Sequence, residues 1–364
     1  MKVLHVETGR HVYGGGLQVL HLVRGLRDRG HEGLLAVPSD SAVGERGEEW
    51  GLPTFRFPFA GDADAFSVAR LTAAIRQFAP DLVHLHSRRG ADTWGVLSAL
   101  ASGVPAVLTR RVDNPEPGWF ARAKAAGVGH VIAISHAIER VLLEAGVPRE
   151  RLSVVHSAVD VDQWAVPPDR AGTLAEFGLP ADGIAAAMVA QLIPRKGHGV
   201  LLDALARIRS SGGAIPTVVL FGRGPMKDEL METVGRRALE PWVRFAGFRD
   251  DLPRWLSSFD FLVHPALMEG LGVAALQAGA AGRPVVGARA GGIPEIVDDG
   301  VTGVLVEPGD AAALAEAISR LSSDAELRDA LGAAARDRVR ARFSIASMVA
   351  GNLDVYRRVL RRPG

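Results

Sequence analysis

The 364-residue sequence contains no cysteine, only four lysines and only two tyrosines. Without cysteine there is no disulfide, no thiolate metal ligand and no cysteine nucleophile, and a reducing compartment is favoured. No run of 18 apolar residues occurs, so we expect no membrane-spanning helix. The N-terminus MKVLHVETG lacks the long apolar core of a signal peptide. We therefore expect a cytoplasmic protein, or one that is peripheral at the inner face of the membrane.

The sequence also has little net charge. Its 42 basic and 41 acidic residues leave a net charge of +1, and neither half is strongly basic. This balance argues against a nucleic-acid-binding module. Hydrophobic residues make up 48% of the chain, which is ordinary for a globular protein. At roughly 150 residues per domain, the length predicts two domains.

Short apolar segments alternate with helical patterns along the chain, which predicts an α/β protein with parallel sheets. In the first part, the predicted strands are 3–6, 34–37, 81–85, 104–109 and 130–134. After a pause at the proline-containing segment 157–168, further strands are predicted at 184–189, 217–221, 243–246, 261–264, 284–287 and 304–306. We therefore predict two doubly wound domains, 1–160 and 161–344, that face each other across a ligand-binding cleft. The C-terminal helix 345–364 is predicted to cross back to the first domain.

The segment from His264 to Gln277 carries the strongest chemical signal. A strand ends at His264, a short loop holds Glu269, and a helix begins near Gly272. Glycines let a backbone approach a ligand closely, and the N–H groups of a helix N-terminus suit a phosphate. Glu269 would repel a phosphate, so we expect it to face neutral hydroxyls; a sugar diphosphate offers both groups. The alternative is a helix cap with a glutamate in the first turn.

Three other segments also follow predicted strands. Gln191 to His198 forms a basic loop in which the compact ammonium of Lys196 can neutralise a diphosphate, unless it is only a solvated loop charge. Phe221-Gly222-Arg-Gly-Pro is a weaker signal that fits a tight turn equally well. Gly14-Gly15-Gly16 is predicted to be a loop after the first strand; it lacks the Lys-Ser/Thr pair of a P-loop.

Taken in order, these segments resemble the family-4 glycosyltransferases, whose GT-B fold has two Rossmann-like domains. The resemblance extends over nearly the whole chain and includes three more segments: Asp81-Leu-Val-His84-Leu-His86, Phe245-Ala-Gly-Phe248 and Ala290–Asp310. It implies a UDP- or GDP-sugar donor, a saccharide or glycolipid acceptor, retention of the anomeric configuration, and neither a cofactor nor a bound metal.

The resemblance also assigns roles to residues. It implies that Glu269 contacts the donor sugar, that Lys196 binds the diphosphate, and that His86 reaches the sugar near the reacting centre. His84 is expected to point to the opposite face of the strand. The implied donor-binding residues are Gln191, Arg195, Gly222, Phe248, Gly270, Leu271, Gly272 and Gln277, with the glycine loop Gly14, Gly15 and Gly16.

Two positions depart from the family pattern. Gln191 stands where the family has an arginine, and Gln277 stands where it has a second glutamate. An amide can still bond a ribose diol, but without charge assistance. Two alternatives therefore stay open beside an active envelope glycosyltransferase: a weakened or inactive binding protein, and a hexosamine-phosphate epimerase, which the EGLG and RKG segments disfavour.

Arginines follow two predicted strands of the first domain. Arg88 and Arg89 come after one strand, and Arg110 and Arg111 come at the end of the next. Four guanidiniums at adjacent strand ends can bind a phosphorylated or acidic acceptor, unless they are only surface ion pairs. Trp119 nearby can stack on a sugar or touch lipid.

Overall fold

In a computed structural model of the protein, the described residues are 1–12, 14–86 and 90–361. They divide into two compact units. Unit 1 comprises Met1–Ala158 together with the chain from Ile345 onward, and unit 2 comprises Val159–Ser344. Each unit contains one parallel sheet whose strands are joined by helices. The predicted class of two doubly wound α/β domains is confirmed.

The sheet of unit 1 has the order β3-β2-β1-β4-β5-β6-β7 in the described ranges, with all strands parallel. The strands are β1 (Lys2–Val6), β2 (Glu32–Pro38), β3 (Thr54–Phe57), β4 (Leu82–Leu85), β5 (Ala106–Arg110), β6 (His130–Ala133) and β7 (Leu152–Val154). The helices are α1 (Gly14–Arg27), α2 (Ala42–Glu49), α3 (Ser67–Phe78), α4 (Val96–Ser102), α5 (Gly118–Ala126) and α6 (His136–Glu144), with a π-turn at Ala91–Gly95 and a 3-10 turn at Arg149–Arg151.

Two features of unit 1 differ from the sequence prediction. The short edge strands β3 and β7 were not predicted, because four and three residues are too few for a clear pattern. Gly14, Gly15 and Gly16 were predicted to be a loop, but they form the first turn of α1. A Cβ on Gly16 would lie 2.8 Å from Val43 Cγ2, so close packing of this turn against α2 accounts for a glycine there.

The sheet of unit 2 has the order β10-β9-β8-β11-β12-β13, again parallel throughout. The strands are β8 (Ala185–Val189), β9 (Thr217–Phe221), β10 (Val243–Gly247), β11 (Phe261–His264), β12 (Val285–Ala288) and β13 (Gly303–Val306). The helices are α7 (Val161–Trp164), α8 (Arg170–Phe177), α9 (His198–Ser210), α10 (Lys227–Arg236), α11 (Leu252–Leu256), α12 (Val273–Ala280), α13 (Ile293–Ile296), α14 (Ala311–Ser323) and α15 (Ala325–Arg342), with a 3-10 turn at Pro194–Lys196.

The chain then returns to unit 1 as α16 (Ile345–Leu360). Its apolar residues recur at helical spacing, so one face is buried against α1 and the sheet. Tyr356 on that face is fully buried, and its hydroxyl lies 2.5 Å from His84 Nδ1 in β4. Among the described residues, none of the helices combines the length and apolar character that crossing a bilayer requires.

Candidate active site

Lys196 and Glu269 lie on either side of the point where the strand order of unit 2 reverses. Lys196 ends the turn that follows β8, and Glu269 is in the loop that follows β11, the neighbouring strand. In open parallel sheets, ligands bind outside the carboxyl ends of strands at such a reversal. The two side chains, each 12% exposed, form an ion pair in which Lys196 Nζ donates to Glu269 Oε2 at 2.6 Å.

A histidine also contacts the carboxylate of this ion pair. His264, the last residue of β11, lies with Nε2 2.9 Å from the same Glu269 oxygen; because a carboxylate only accepts, the imidazole donates. The backbone N–H of Gly270 donates to the other oxygen at 3.2 Å. Burial by itself would raise the pKa of Glu269, but His264 and Lys196 outweigh it and hold that pKa well below its ordinary value. Glu269 is therefore a carboxylate whose charge is neutralised inside the protein.

His198, the first residue of α9, lies close to this group. It is 2% exposed, and neither ring nitrogen has a hydrogen-bond partner in the described part of the chain. Burial first, and then the charges of His264 and Lys196, lower the pKa of His198 to about 4. It is therefore neutral at pH 7. The sequence analysis assigned no chemical role to His198 or His264, although each is an end residue of a segment that was singled out.

Backbone packing holds the two loops together. Gly197 has φ +76°, and a Cβ there would lie 1.8 Å from the carbonyl oxygen of Pro265. The N–H of Leu267 donates to the carbonyl of Arg195 at 2.8 Å. These contacts between backbones fix the loop of Lys196 against the loop of Glu269.

A close approach between two backbones also requires a glycine at position 222. Its φ is +140°, and a Cβ there would lie 1.9 Å from the carbonyl oxygen of Ala190 in the loop after β8. The N–H of Leu192 donates to the carbonyl of Arg223 at 3.1 Å. The close approach that requires glycine is therefore between two loops of the protein. A contact of Gly222 with a ligand remains a prediction.

The other predicted donor-binding residues surround the same strand ends. Gly272 is the N-cap of α12, and the first N–H groups of a helix have no acceptor within it. Gln277 is half-buried in α12, and Gln191 is exposed after β8. Phe248, which follows β10, is 52% exposed, and the guanidinium of Arg223 stacks on its ring at 5.1 Å. Three further predicted residues lie in these loops. Arg195 is half-buried, Gly270 is buried, and the side chain of Leu271 is buried.

In unit 1, the strand order reverses between β1 and β4, and His86 immediately follows β4. Arg111 Nη2 lies 3.3 Å from His86 Nδ1, and His86 Nε2 lies 3.0 Å from His5 Nδ1. Since a guanidinium only donates, His86 accepts from Arg111 and in turn donates to His5. Burial lowers the pKa of His86 well below its ordinary value, so the ring is neutral. Binding a sugar hydroxyl would require His86 to exchange one of these partners.

His84 points to the same side of the sheet as His86, contrary to the prediction. Their ring centroids lie 3.8 Å apart, because residues two apart in a strand share a face. The nitrogens of His84 are bonded to Tyr356 at 2.5 Å and to Thr109 at 2.6 Å. The ligand atoms of His5, His84 and His86 lie within 4.8 Å of one another. Because His84 is bonded to Tyr356 and Thr109 while His86 is bonded to His5 and Arg111, these described groups form two hydrogen-bonded sets rather than an open metal site.

The four arginines predicted at the acceptor site differ in placement. Arg110 is 4% exposed; its guanidinium is bonded to the carbonyls of Val112 and Asn114 and to Glu116, which holds the loop after β5. This argues against the acceptor role predicted for Arg110. Burial lowers the pKa of Arg111 to about 10, so it stays charged, and its Cδ lies beside Gly15 in the first turn of α1. Arg88 and Arg89 lie outside the described residues.

Two doubly wound units, with an ammonium and a carboxylate where the strand order of one reverses, define an α/β protein with a candidate ligand site at the carboxyl ends of its strands. Comparison with known proteins identifies the family. Residues 12–163 match the glycosyltransferase family 4 profile, and residues 184–324 match the glycosyl transferases group 1 profile. The chain belongs to the family-4 glycosyltransferases.

Curated relatives agree with this family. The chain is 33% identical over 334 residues to the D-inositol 3-phosphate glycosyltransferase of Salinispora arenicola, covering 81% of this chain and 73% of the relative. It is 29% identical over 378 residues to the alpha-maltose-1-phosphate synthase of Mycobacterium tuberculosis, covering 96% of each. With the D-inositol 3-phosphate glycosyltransferase of Corynebacterium kroppenstedtii, identity is 34% over 223 residues, or 58% of this chain; the match spans about half (49%) of that relative's length.

A solved structure supports the fold along nearly the whole chain. The crystal structure of Anabaena HepE in complex with UDP and glucose has a TM-score of 0.85 and 25% sequence identity, and the match covers 98% of this chain and 99% of HepE.

Proposed function

We propose that this protein transfers a sugar from a nucleoside diphosphate sugar to a hydroxyl of an anionic saccharide or glycolipid acceptor, with retention of configuration, in bacterial envelope synthesis. The observation that carries the proposal is the group of Lys196, Glu269 and His264 at the strand reversal of unit 2. It offers an ammonium for a diphosphate and a carboxylate for sugar hydroxyls, which are the two chemistries that such a donor needs.

A UDP-sugar is the donor that we favour, because HepE has been crystallised with UDP and glucose. When the donor enters, its diphosphate competes with Glu269 for Lys196. His264 and the N–H of Gly270 then keep the released carboxylate in place, where it accepts hydrogen bonds from the sugar. Gln277 in α12 is within the same strand-end region and is the residue that we assign to the ribose.

The reaction would begin with cleavage of the C–O bond between the sugar and the diphosphate, which leaves an oxocarbenium-like sugar. Lys196 and the first N–H groups of α12 stabilise the negative charge on the departing oxygen. The acceptor hydroxyl attacks from the same face, and its proton passes to the departing phosphate. We propose that protein groups supply the positive charge in this step, without a bound metal or cofactor.

The acceptor is assigned to unit 1, at Arg111. This charged guanidinium lies beside the N-terminal turn of α1, and both groups attract an anion. The names of the curated relatives mention inositol phosphate and maltose phosphate, which supports an anionic acceptor.

A screen of UDP- and GDP-sugars by thermal shift, followed by a transfer assay with phosphorylated acceptors, tests the proposal. A donor that raises Tm and yields product with the donor's own anomeric configuration supports it. Turnover that survives in a folded Glu269→Ala variant contradicts it; Glu229→Ala, an exposed glutamate of α10, is the matched control. Transfer should also survive a metal chelator.

A second candidate is a binding protein with little or no turnover. It is favoured by Gln191 and Gln277, whose amides stand at the family's charged positions. Under this hypothesis, a nucleotide-sugar donor should raise Tm, but no acceptor should yield a transfer product. Gln277→Glu and Gln191→Arg would then add turnover that the native chain lacks.

A further inference from the structure

Three neighbouring helices of unit 1 expose an apolar surface. Phe66, the N-cap of α3, is 76% exposed; Leu97 and Leu100 in α4 are 45% and 57% exposed; and Trp119 in α5 is 67% exposed. Of the large hydrophobic side chains that unit 1 exposes among its described residues, only Leu360 lies elsewhere. Such a concentration of exposed apolar groups marks an interaction surface rather than the usual scatter of single residues.

The three helices lie side by side. Ser98 Oγ of α4 donates to the carbonyl of Val68 in α3 at 3.3 Å. At the other side of α4, a Cβ on Gly127, the C-cap of α5, would lie 3.4 Å from Leu100 Cδ1. The small residues between the large ones are also exposed alanines: Ala69, Ala73, Ala101, Ala123 and Ala126. We call the exposed side chains of residues 66–78, 96–102 and 118–126 the α3–α5 face.

The α3–α5 face has no negative charge. Its segments contain no aspartate or glutamate, while Arg76 and Arg122 are exposed on it. Of the carboxylates near these segments, Asp64 pairs with Arg70 at 2.8 Å and Asp92 pairs with Lys124 at 2.6 Å, both with side chains 5% exposed, whereas Asp81, three residues after α3, is exposed. Exposed acids occur only at its borders, as at Asp62 and in α6.

We propose that the α3–α5 face docks on an anionic lipid membrane. Exposed Trp, Phe and Leu side chains insert at the boundary between head groups and acyl chains, and arginines attract anionic head groups. A second copy of the chain fits less well, because a two-fold contact would place Arg76 and Arg122 against a copy of the same face, which offers no carboxylate to pair with them.

The placement of the face adds to this argument. Helices that join parallel strands run opposite to them, so the starts of α3 and α5 lie at the edge of the sheet where the strands end. Phe66 and Trp119 are at those helix starts, and Arg111 follows the end of β5 at the same edge. Docking through this face would therefore bring the lipid surface to the edge of unit 1 that we assign to the acceptor. Membrane binding itself does not depend on the transfer reaction.

Sedimentation of the full chain with lipid vesicles tests the proposal. We expect binding to vesicles of phosphatidylcholine mixed with phosphatidylglycerol, weaker binding at high salt, and little binding to phosphatidylcholine alone. The double variant Phe66→Ser/Trp119→Ser should bind at least about tenfold more weakly, because it removes two large apolar groups from the contact. Met231→Ser is the matched control, since Met231 is 49% exposed on α10 of unit 2.

Arg122→Glu should abolish the preference for phosphatidylglycerol while the apolar groups remain. Circular dichroism and Tm of each variant check that it is folded. Equal binding by the wild type and the double variant, or no binding of the wild type to anionic vesicles, overturns the proposal. A wild-type dimer in solution that the double variant loses would also overturn it, in favour of a second copy.

Discussion

Removing the charge of Lys196 tests whether its ion pair with Glu269 is both a stabilising contact and the place where a diphosphate binds. We consider Lys196→Met, Glu269→Gln and the double variant, each compared with the wild type. Lys227→Met, which removes an exposed lysine of α10, is the matched control. The pair is well suited to such a cycle, because the atoms lie 2.6 Å apart and both side chains are 12% exposed.

The expected magnitudes follow from burial and from the remaining partners of each group. Breaking one side of a buried ion pair costs about 3–5 kcal/mol because a charge is left without its partner. Glu269 keeps its bonds from His264 and Gly270, so we expect Lys196→Met to cost about 2–3 kcal/mol. Glu269→Gln frees a flexible ammonium that can turn toward water, and we expect about 1–2 kcal/mol. The double variant should lose only about 1 kcal/mol, since no charge is then stranded.

Urea unfolding without ligand measures the stability of all four proteins, and calorimetry with UDP measures binding to the folded ones. Lys196→Met should bind UDP about ten- to a hundredfold more weakly, because one charge-assisted hydrogen bond is worth about 1.5–3 kcal/mol. Glu269→Gln should bind UDP at least as tightly as the wild type, since the ammonium no longer has a competitor inside the protein.

Two results would refute this reasoning. If the stability losses of the single variants simply add in the double variant, then the two groups are not coupled. If Lys196→Met binds UDP as the wild type does, then the diphosphate lies elsewhere. In both cases the Lys227→Met control should remain indistinguishable from the wild type.

Three further predictions concern other residues. His198→Gln should reduce the loss of stability between pH 6.5 and pH 4. In this range His198 takes up a proton in the unfolded chain but not in the folded protein, where its pKa is lowered to about 4. This difference costs the wild type about 3 kcal/mol of folding stability as the pH falls. Urea unfolding at both pH values measures the loss, with the exposed His136→Gln as control, and an unchanged acid loss contradicts the assignment. Gln277→Glu should leave transfer intact and tighten UDP binding, because a carboxylate accepts from both ribose hydroxyls; loss of UDP binding in the folded variant, measured by calorimetry, would show that Gln277 does not face the ribose. Gly222→Ala should lower stability by at least about 2 kcal/mol, because its Cβ would lie 1.9 Å from a backbone oxygen; an unchanged urea midpoint would mean that the loops separate easily.

Much of the fold could be predicted from local pattern. The buried strands of a parallel sheet are short continuous apolar runs, and these runs placed β8, β9 and β11 within a residue of their observed ends. The helix α16 was predicted because it is long and its apolar residues keep helical spacing. Edge strands such as β3 and β7 are too short to carry such a pattern. Nothing in the triple glycine itself indicates that it forms the first turn of α1, because that turn is packed against α2, which is distant in sequence.

The candidate site divides in the same way. The types and spacing of residues around Lys196 and Glu269 indicated an anion and hydroxyl site, because each follows a strand and precedes a helix. That the two neutralise each other, with His264 as a third partner, depends on β8 and β11 being neighbours although they are far apart in the chain. The chain of His5, His86 and Arg111 likewise exists because β1 lies beside β4 and β4 beside β5. Local sequence determines which groups stand at the ends of strands, and only the order of strands in the sheet decides which of them meet.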